Sequence, residues 1–230
     1  TEVSAAVAKA AIKSGVARKT ITDWDAYKKG LMELLGQESK LTRKLHDTAR
    51  LHPQRVVFAE GGHPTMMKAA VQAKTEGICQ PILLGNPDRL NRMAQRLKLD
   101  LSDIEIIDMR ADQEQGRRAT YAKHLAKKRA RQGYNFEEAY DKMYERNYFG
   151  MMMVETGEAD AFITGLYTKY SNTIKVAKEV VGIRPEYKTF ATMHILNTKK
   201  GTFYIADTLI NRHPDENVLM DVAKLSAHTV

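Results

Sequence analysis

From residue 55 onward the apolar positions follow two alternating rhythms. Short apolar-rich runs lack helical spacing and predict strands buried on both faces: Arg55-Val56-Val57-Phe58-Ala59-Glu60, Pro81-Ile82-Leu83-Leu84-Gly85 and Ile104-Glu105-Ile106-Ile107-Asp108. The stretches between them predict helices, one from Met66 to Glu76 closed by Gly77 and one opened by Asn86-Pro87 and reaching about Leu97. Gly61-Gly62-His63-Pro64 reads as a turn with Pro64 near the first helical position. This β-α-β-α-β order predicts a mainly parallel sheet covered by helices.

The second half continues the alternation and then changes it. Asp112 to Gln132, broken by Gly133, predicts a long helix, followed by helices over about 136–147 and 148–155 before Gly157. Asp160-Ala161-Phe162-Ile163-Thr164-Gly165 predicts a buried strand ending at a glycine. A hydroxyl-rich loop follows, then a helix from about Asn172 to Val181. Strands over 188–195 and 202–207 flank the polar gap Asn197-Thr198-Lys199-Lys200-Gly201, which predicts a β-hairpin, and Pro214 opens a final helix. The fold class is α/β: a helix-covered, mainly parallel sheet plus a second α/β subdomain with an antiparallel hairpin.

Residues 1–36 read differently. Val3 to Ser14 predicts an alanine-rich helix capped by Gly15. Thr22 starts a second helix, with Asp25 in the capping-box position and an apolar stripe of Trp24, Tyr27, Leu31, Leu34 and Leu35 ending at Gly36. Two such short helices gain little from each other and need a neighbour to dock on; the lone Trp24 reads as packing. The charged helix from Glu38 to Leu51, leading to Pro53, reads as a connector.

Composition narrows the class. A chain of 230 residues with 43% hydrophobic content has ample core for independent stability. It contains no run near the roughly 20 apolar residues of a membrane span. The amino terminus has neither a basic start nor an apolar segment, so no secretory signal is visible. The absence of an initiator Met suggests a piece of something longer. Cys79 is the single cysteine, which excludes an internal disulfide and fits a reducing cytoplasm. A net charge of +8 raises the question of nucleic acid, since Arg117, Arg118, Lys123, Lys127, Lys128, Arg129 and Arg131 fall in one helical window. A solvated helix face explains that window more readily than any binding role, and among binding roles an anionic small molecule such as a CoA phosphate competes evenly with RNA or DNA. No zinc-finger spacing, interleaved aromatic pattern, G-x-G-x-x-G or P-loop accompanies it.

The chemistry concentrates at two strand ends. Glu60, Gly61 and His63 lie in the first strand-to-helix turn, where a cleft residue or a mere turn histidine are both open readings. Thr164, Gly165, Tyr167, Thr168, Lys169, Tyr170, Ser171 and Thr173, with Lys175, follow the glycine-ended strand. The carboxyl end of a strand beside a helix amino terminus is where open α/β sheets hold ligands, and hydroxyls hold phosphate or carbonyl oxygens without burying a charge. The competing reading is a polar loop with ordinary capping hydroxyls. His194 reads as a core histidine, Cys79 as structural, and Glu158 and Asp160 as solvated loop acids. No cluster has metal-ligand spacing.

Several stretches together resemble the phosphate acetyltransferase (phosphotransacetylase) family: Arg55 to Gly61, Glu76-Gly77-Ile78 with Pro81 to Pro87, Asn147-Tyr148-Phe149-Gly150-Met151-Met152-Met153-Val154, Gly157 to Ala161, and Ile205-Ala206-Asp207 with Asn211 and Pro214. The resemblance implies an isocitrate/isopropylmalate-dehydrogenase-like fold of two α/β domains, dimerising through the second. It also implies acetyl transfer between CoA and phosphate without a metal, and it adds Asp207 and Asn211 to the ligand-binding candidates. The boundaries expected are 55–135 for the first subdomain and 136–230 for the second, incomplete at its end. The loop departs from the small hydroxyl run of catalytic members, reading Leu166-Tyr167-Thr168-Lys169-Tyr170-Ser171, and a late Ser/Arg-bearing segment is absent. Residues 1–36 resemble the tail of a bacterial malic enzyme's dehydrogenase region, with 37–54 as the helical connector. The whole resembles the C-terminal part of an NADP-dependent hybrid malic enzyme. That implies a cytoplasmic regulatory and oligomerisation domain binding acetyl-CoA and no cofactor within this stretch. NADP and a divalent metal would belong to the region that oxidatively decarboxylates malate to pyruvate. An active phosphate acetyltransferase is the alternative, and a basic nucleic-acid-binding module a distant one.

Overall fold

A computed structural model of the chain describes residues 2–34, 40–198 and 201–228. It divides into two units, 48–188 and a second formed by 1–47 with 189–230.

The larger unit is built on a four-stranded parallel sheet of order β3-β2-β1-β4, from β1 (Gln54–Phe58), β2 (Cys79–Leu84), β3 (Glu105–Ile107) and β4 (Ala161–Ile163). Side chains alternate between its faces. Val56, Phe58 and Leu83 pack with α4 (Pro64–Thr75) and α5 (Pro87–Leu97). Val57, Ile82, Leu84 and Ile107 face α6 (Gln115–Arg129), α7 (Phe136–Lys142), α8 (Arg146–Glu155) and α9 (Tyr170–Val180). Burial on both faces accounts for the continuous apolar runs of the central strands. β4 is half-buried, with Ile163 43% exposed, because among the described residues it pairs only with β1 and ends the sheet; the expected full burial does not hold.

The pairing of β4 with β1 places residues 136–188 on the same sheet as 55–135. The expected boundary at 136 therefore falls inside one compact unit. Asp160 and Glu158 do lie in loops, Asp160 exposed and Glu158 partly so, but both are tied into the fold by side-chain partners. Asp160 accepts the backbone N–H of Arg55 at 2.8 Å and meets its guanidinium at 2.9 Å, clamping the entry of β4 to that of β1. Glu158 accepts from the Tyr121 hydroxyl at 2.7 Å and pairs with Arg117 at 3.3 Å. The Arg55 contacts hold the Asp160 carboxyl below its ordinary value. A depressed carboxylate contributes stability above its unfolded pKa and loses it as pH falls. Asp160→Asn is therefore expected to be less stable than wild type at neutral pH. The gap between the two should close as pH drops below 3.8, measured by urea midpoints across pH.

Helix ends follow their local chemistry. Asn86 caps α5 by accepting from Arg89 N at 3.1 Å, and Asn135 with Glu138 forms a reciprocal capping box on α7. Gly77, Gly133 and Gly157 turn with positive φ after their helices, as expected of helix-ending glycines. The helices expected over 136–147 and 148–155 break earlier, at Met143-Tyr144-Glu145, where three successive turn bonds end α7. α8 packs closely on the sheet: a Cβ at Gly150 would lie 2.5 Å from the Phe162 ring and 3.2 Å from Leu84.

The smaller unit holds α1 (Glu2–Lys13), α2 (Trp24–Leu34), the antiparallel pair β5 (Met193–Thr198) and β6 (Gly201–Ala206), and α10 (Glu216–Ala227); α3 (Lys40–Leu51) runs across the division. Gly15 turns with φ 75° after α1. Asp23, not Thr22, caps α2 by accepting from Ala26 N at 2.9 Å. The stripe's end at Leu35 and Gly36, the start of the third helix at Glu38, and Lys199-Lys200 of the hairpin gap lie outside the described residues. The hairpin begins at 193 rather than 188, and its pairing runs through Asn197↔Thr202 and Thr198↔Gly201. His194 is exposed on β5, so it is not a core histidine; Ile195, Leu196, Phe203 and Ile205 around it are exposed as well.

Candidate functional site

The strand order reverses where β1 and β4 lie side by side in parallel. β1 leaves its carboxyl end toward α4 on one face of the sheet, and β4 leaves toward α9 on the other. Such a switch point opens a crevice between the two outgoing loops, and ligands of open α/β sheets bind there.

Glu60 sits at this point and is fully buried. Its Oε2 accepts the backbone N–H groups of Gly165 at 3.0 Å and Leu166 at 2.7 Å, and its Oε1 accepts that of Tyr167 at 2.7 Å. Burial pushes its pKa up, but these three donors and the nearby Arg146 charge outweigh that and hold the carboxyl below its ordinary value. The residue is therefore a structural anion under the loop and does not line the cleft. Gly61 next to it has no room for a side chain, since a Cβ would lie 2.9 Å from Leu84 O. His63 caps α4, its Nδ1 accepting from Thr65 N at 3.2 Å, while its ring meets the Tyr167 ring edge-on at 5.1 Å. Both readings of His63 thus have a counterpart: it is a turn residue, and it stands beside the hydroxyl loop.

A cavity of about 630 Å³ opens over the carboxyl ends of β1, β2 and β3. Its wall includes Gly62, Asn86, Asp108 and Tyr167, and three arginines: Arg89 from α5, Arg110 after β3 and Arg146 at the start of α8. Asp108 is partly occupied, accepting from Asn86 Nδ2 at 3.1 Å and from Arg110 N at 3.1 Å. The Arg146 guanidinium lies 5.8 Å from the Tyr167 ring centroid. A smaller cavity of about 220 Å³ shares Met109, Arg110 and Arg146 with the first and adds Asn147, Thr168 and Asn172. Asn147, only 5% exposed, accepts from the Thr164 hydroxyl at 3.1 Å.

The hydroxyl loop is thus split among roles. Tyr167 and Thr168 line the two cavities, and Thr164 is tied to Asn147. Gly165 gives its N–H to Glu60 and turns with φ 130°. Lys169, Tyr170 and Ser171 are exposed at the start of α9, Lys175 is exposed further along it, and Thr173 encloses its hydroxyl in the same helix. Asp207 and Asn211 lie in the smaller unit, in a local network. Asp207 accepts from Thr192 N at 3.1 Å, Asn211 N at 2.7 Å and Asn211 Nδ2 at 2.6 Å. Desolvation raises the Asp207 pKa, but the donors starting with Thr192 reverse that and depress it strongly. Cys79 is buried, which pushes its thiol up and away from reactivity. Among the described residues no group of three or more His, Cys, Asp or Glu is placed to hold a metal.

Part of the basic window is spent on contacts within the fold, while Lys123, Lys127 and Arg131 are exposed. Arg118 is 2% exposed and donates to Met109 O and Ala111 O at 2.7 and 2.8 Å, bracing the turn that carries Arg110. Lys128 pairs with Glu155 and donates to Val181 O, and Arg129 donates to Glu179 O and Lys178 O at the end of α9. Cations on the last carbonyls of a helix complement its dipole.

Residues 40–230 match the model of the phosphate acetyl/butaryl transferase family. The chain belongs to that family. It is 34% identical to the NADP-dependent malic enzyme of Salmonella typhimurium and 33% identical to that of Escherichia coli, in both cases over 100% of this chain and 30% of the relative. It spans, then, under a third of the length of those malic enzymes. It is also 29% identical to the phosphate acetyltransferase of Thermoanaerobacterium thermosaccharolyticum, over 82% of this chain and 58% of that protein. A phosphotransacetylase structure from Streptococcus pyogenes superposes with a TM-score of 0.69 at 24% identity, covering 81% of this chain and 56% of the other, and shows the shared fold.

For this phosphate acetyl/butaryl transferase family chain, sequence reasoning missed the three arginines. Arg89, Arg110 and Arg146 are far apart along the chain and share no local motif. The available signal was position: each follows or faces the carboxyl end of a strand, where this fold gathers its ligands. No helix among the described residues is long and apolar enough to cross a membrane.

Proposed function

We propose that this chain is the acetyl-CoA-binding regulatory and oligomerisation part of an NADP-dependent malic enzyme, working in the cytoplasm. The observation that carries the reading is the arginine-lined cavity beside the hydroxyl loop, in a chain that aligns end to end with a part of malic enzymes. Arg89, Arg110 and Arg146 suit the phosphates of CoA, because guanidinium groups bind phosphate oxygens through paired, charge-assisted hydrogen bonds. Leu84, Leu90 and Met109 supply the apolar wall. The acyl end would meet Thr168, Thr164 and Tyr167, with Lys169, Tyr170 and Ser171 at the rim, Thr173 behind them and Gly165 shaping the turn. Asp207 and Asn211 are further ligand-binding residues of this reading, and two copies would associate through residues 136–230. The decarboxylation of malate, with its NADP and divalent metal, would reside in the dehydrogenase region that the malic-enzyme relatives carry beyond the matched segment.

Calorimetry with the full-length protein tests this. Acetyl-CoA is expected to bind and to shift malic activity. Arg110→Ala should weaken binding about tenfold or more, since a hydrogen bond to a charged group is worth roughly 1.5–3 kcal/mol. No heat of binding, with folding intact, would remove the proposal. The second reading is an active phosphate acetyltransferase, favoured by the similarity to the Thermoanaerobacterium enzyme. Formation of acetyl phosphate from acetyl-CoA and phosphate by the full-length protein would establish it.

A further inference from the structure

Three successive backbone N–H groups, those of Gly165, Leu166 and Tyr167, converge on one point just after β4. Consecutive amides arranged this way form a concavity that binds an anion. Here the anion is the protein's own, because both oxygens of the buried Glu60 side chain fill the concavity.

We propose that Glu60 is the positioning residue of the binding cleft. Its carboxylate occupies the amide nest of residues 165–167, fixes Tyr167 against the cavity, and leaves the ligand's negative charge to Arg89, Arg110 and Arg146. The proposal rests on the acetyl-CoA reading above for the identity of the ligand. Tyr167 is the link between the two: its N–H is held by Glu60, and its ring lies on the cavity wall between His63 and Arg146. His63 N donates to Glu60 O at 2.8 Å, so the same residue also joins the β1–α4 turn to the β4–α9 loop. A carboxylate suits this position better than its amide. Glu60 accepts from all three donors with two oxygens, whereas a glutamine would turn an N–H₂ toward at least one backbone N–H.

The test is hydrogen exchange joined to calorimetry on the full-length protein. In Glu60→Gln the amides of Gly165, Leu166 and Tyr167 should exchange at least tenfold faster, while those of Val57 and Leu83 in the sheet keep their protection. Acetyl-CoA affinity should fall about tenfold. In Glu60→Ala, added formate should restore both loop protection and affinity in part, a response that a purely packing role does not give. Wild-type protection at 165–167 in folded Glu60→Gln overturns the proposal, as does lost loop protection with unchanged affinity. Should the Glu60 variants fail to fold, Tyr167→Ala leaves the carboxylate in place and must itself weaken acetyl-CoA binding; unchanged affinity there overturns the positioning role. If the wild type binds no acetyl-CoA, the ligand reading fails separately. Exchange at 165–167 then still decides whether Glu60 holds the loop.

Discussion

Gly150→Leu is expected to lower the stability of the chain by about 3 kcal/mol or more, at or beyond the upper end of what overpacking a core costs. Gly150 is buried in the middle of α8, where a bare Cβ would already approach the Phe162 ring to 2.5 and 2.8 Å and Leu84 to 3.2 Å. Glycine is a poor helix residue, by roughly 1 kcal/mol against alanine, so the contact with β4 is what requires it. Chemical denaturation of Gly150→Leu, Phe162→Ala and the double variant gives the coupling between the two sites. Truncating the ring makes room, so the double variant should be more stable than the sum of the singles by about 1 kcal/mol or more. Additive losses would show that the helix, not the ring contact, sets the cost.

Glu179→Ala should cost about 2–4 kcal/mol. Glu179 on α9 accepts the hydroxyls of Tyr134, at 2.6 Å, and of Tyr148, and its loss leaves both phenols without their acceptor at roughly 1–3 kcal/mol each. The network also predicts a pH window. Burial raises the Glu179 pKa, but the two hydroxyls and the charges of Lys142 and Lys175 reverse that and leave it lowered. Burial and the Glu179 bond push Tyr134 up to about 12 and raise Tyr148 further. A lowered carboxylate loses its contribution as pH falls from 4.5, and raised phenols lose theirs as pH climbs above 10.0. The stability difference between wild type and Tyr148→Phe should therefore be flat between those limits and shrink outside them. A difference that keeps growing on either side would contradict the assignment.

The strands and their punctuation were legible because burial on both faces writes itself as uninterrupted apolar runs, and because Gly77, Gly133 and Gly157 mark helix ends by conformation alone. The break at Met143-Tyr144-Glu145 carries no glycine or proline, so nothing local announced it. The hairpin was placed too early because residues 188–192 look like strand. There Thr189 bonds the Asn211 side chain at 3.0 Å, and Thr192 N donates to Asp207 at 3.1 Å in place of a ladder. Side-chain competition of this kind depends on partners some 20 residues away and is invisible in a window. The site divided in the same manner. The hydroxyl loop stood out by composition, whereas Glu60 revealed its partners only once β4 was laid beside β1, and the arginines only once three strand ends shared one edge.

That neighbourhood has a consequence for the order of assembly on the ribosome. Glu60 and its first amide donor at Gly165 are separated by 105 residues, which at about 5–20 residues per second are made in roughly 5–20 s. β2 and β3 are made within that interval and can pair with β1 before it ends, yet until residue 165 is made the Glu60 carboxylate has none of these amides to receive it. The β1 edge of the nascent sheet stays unpaired until β4 emerges, so the crevice between the two outgoing loops can form only after that point in synthesis.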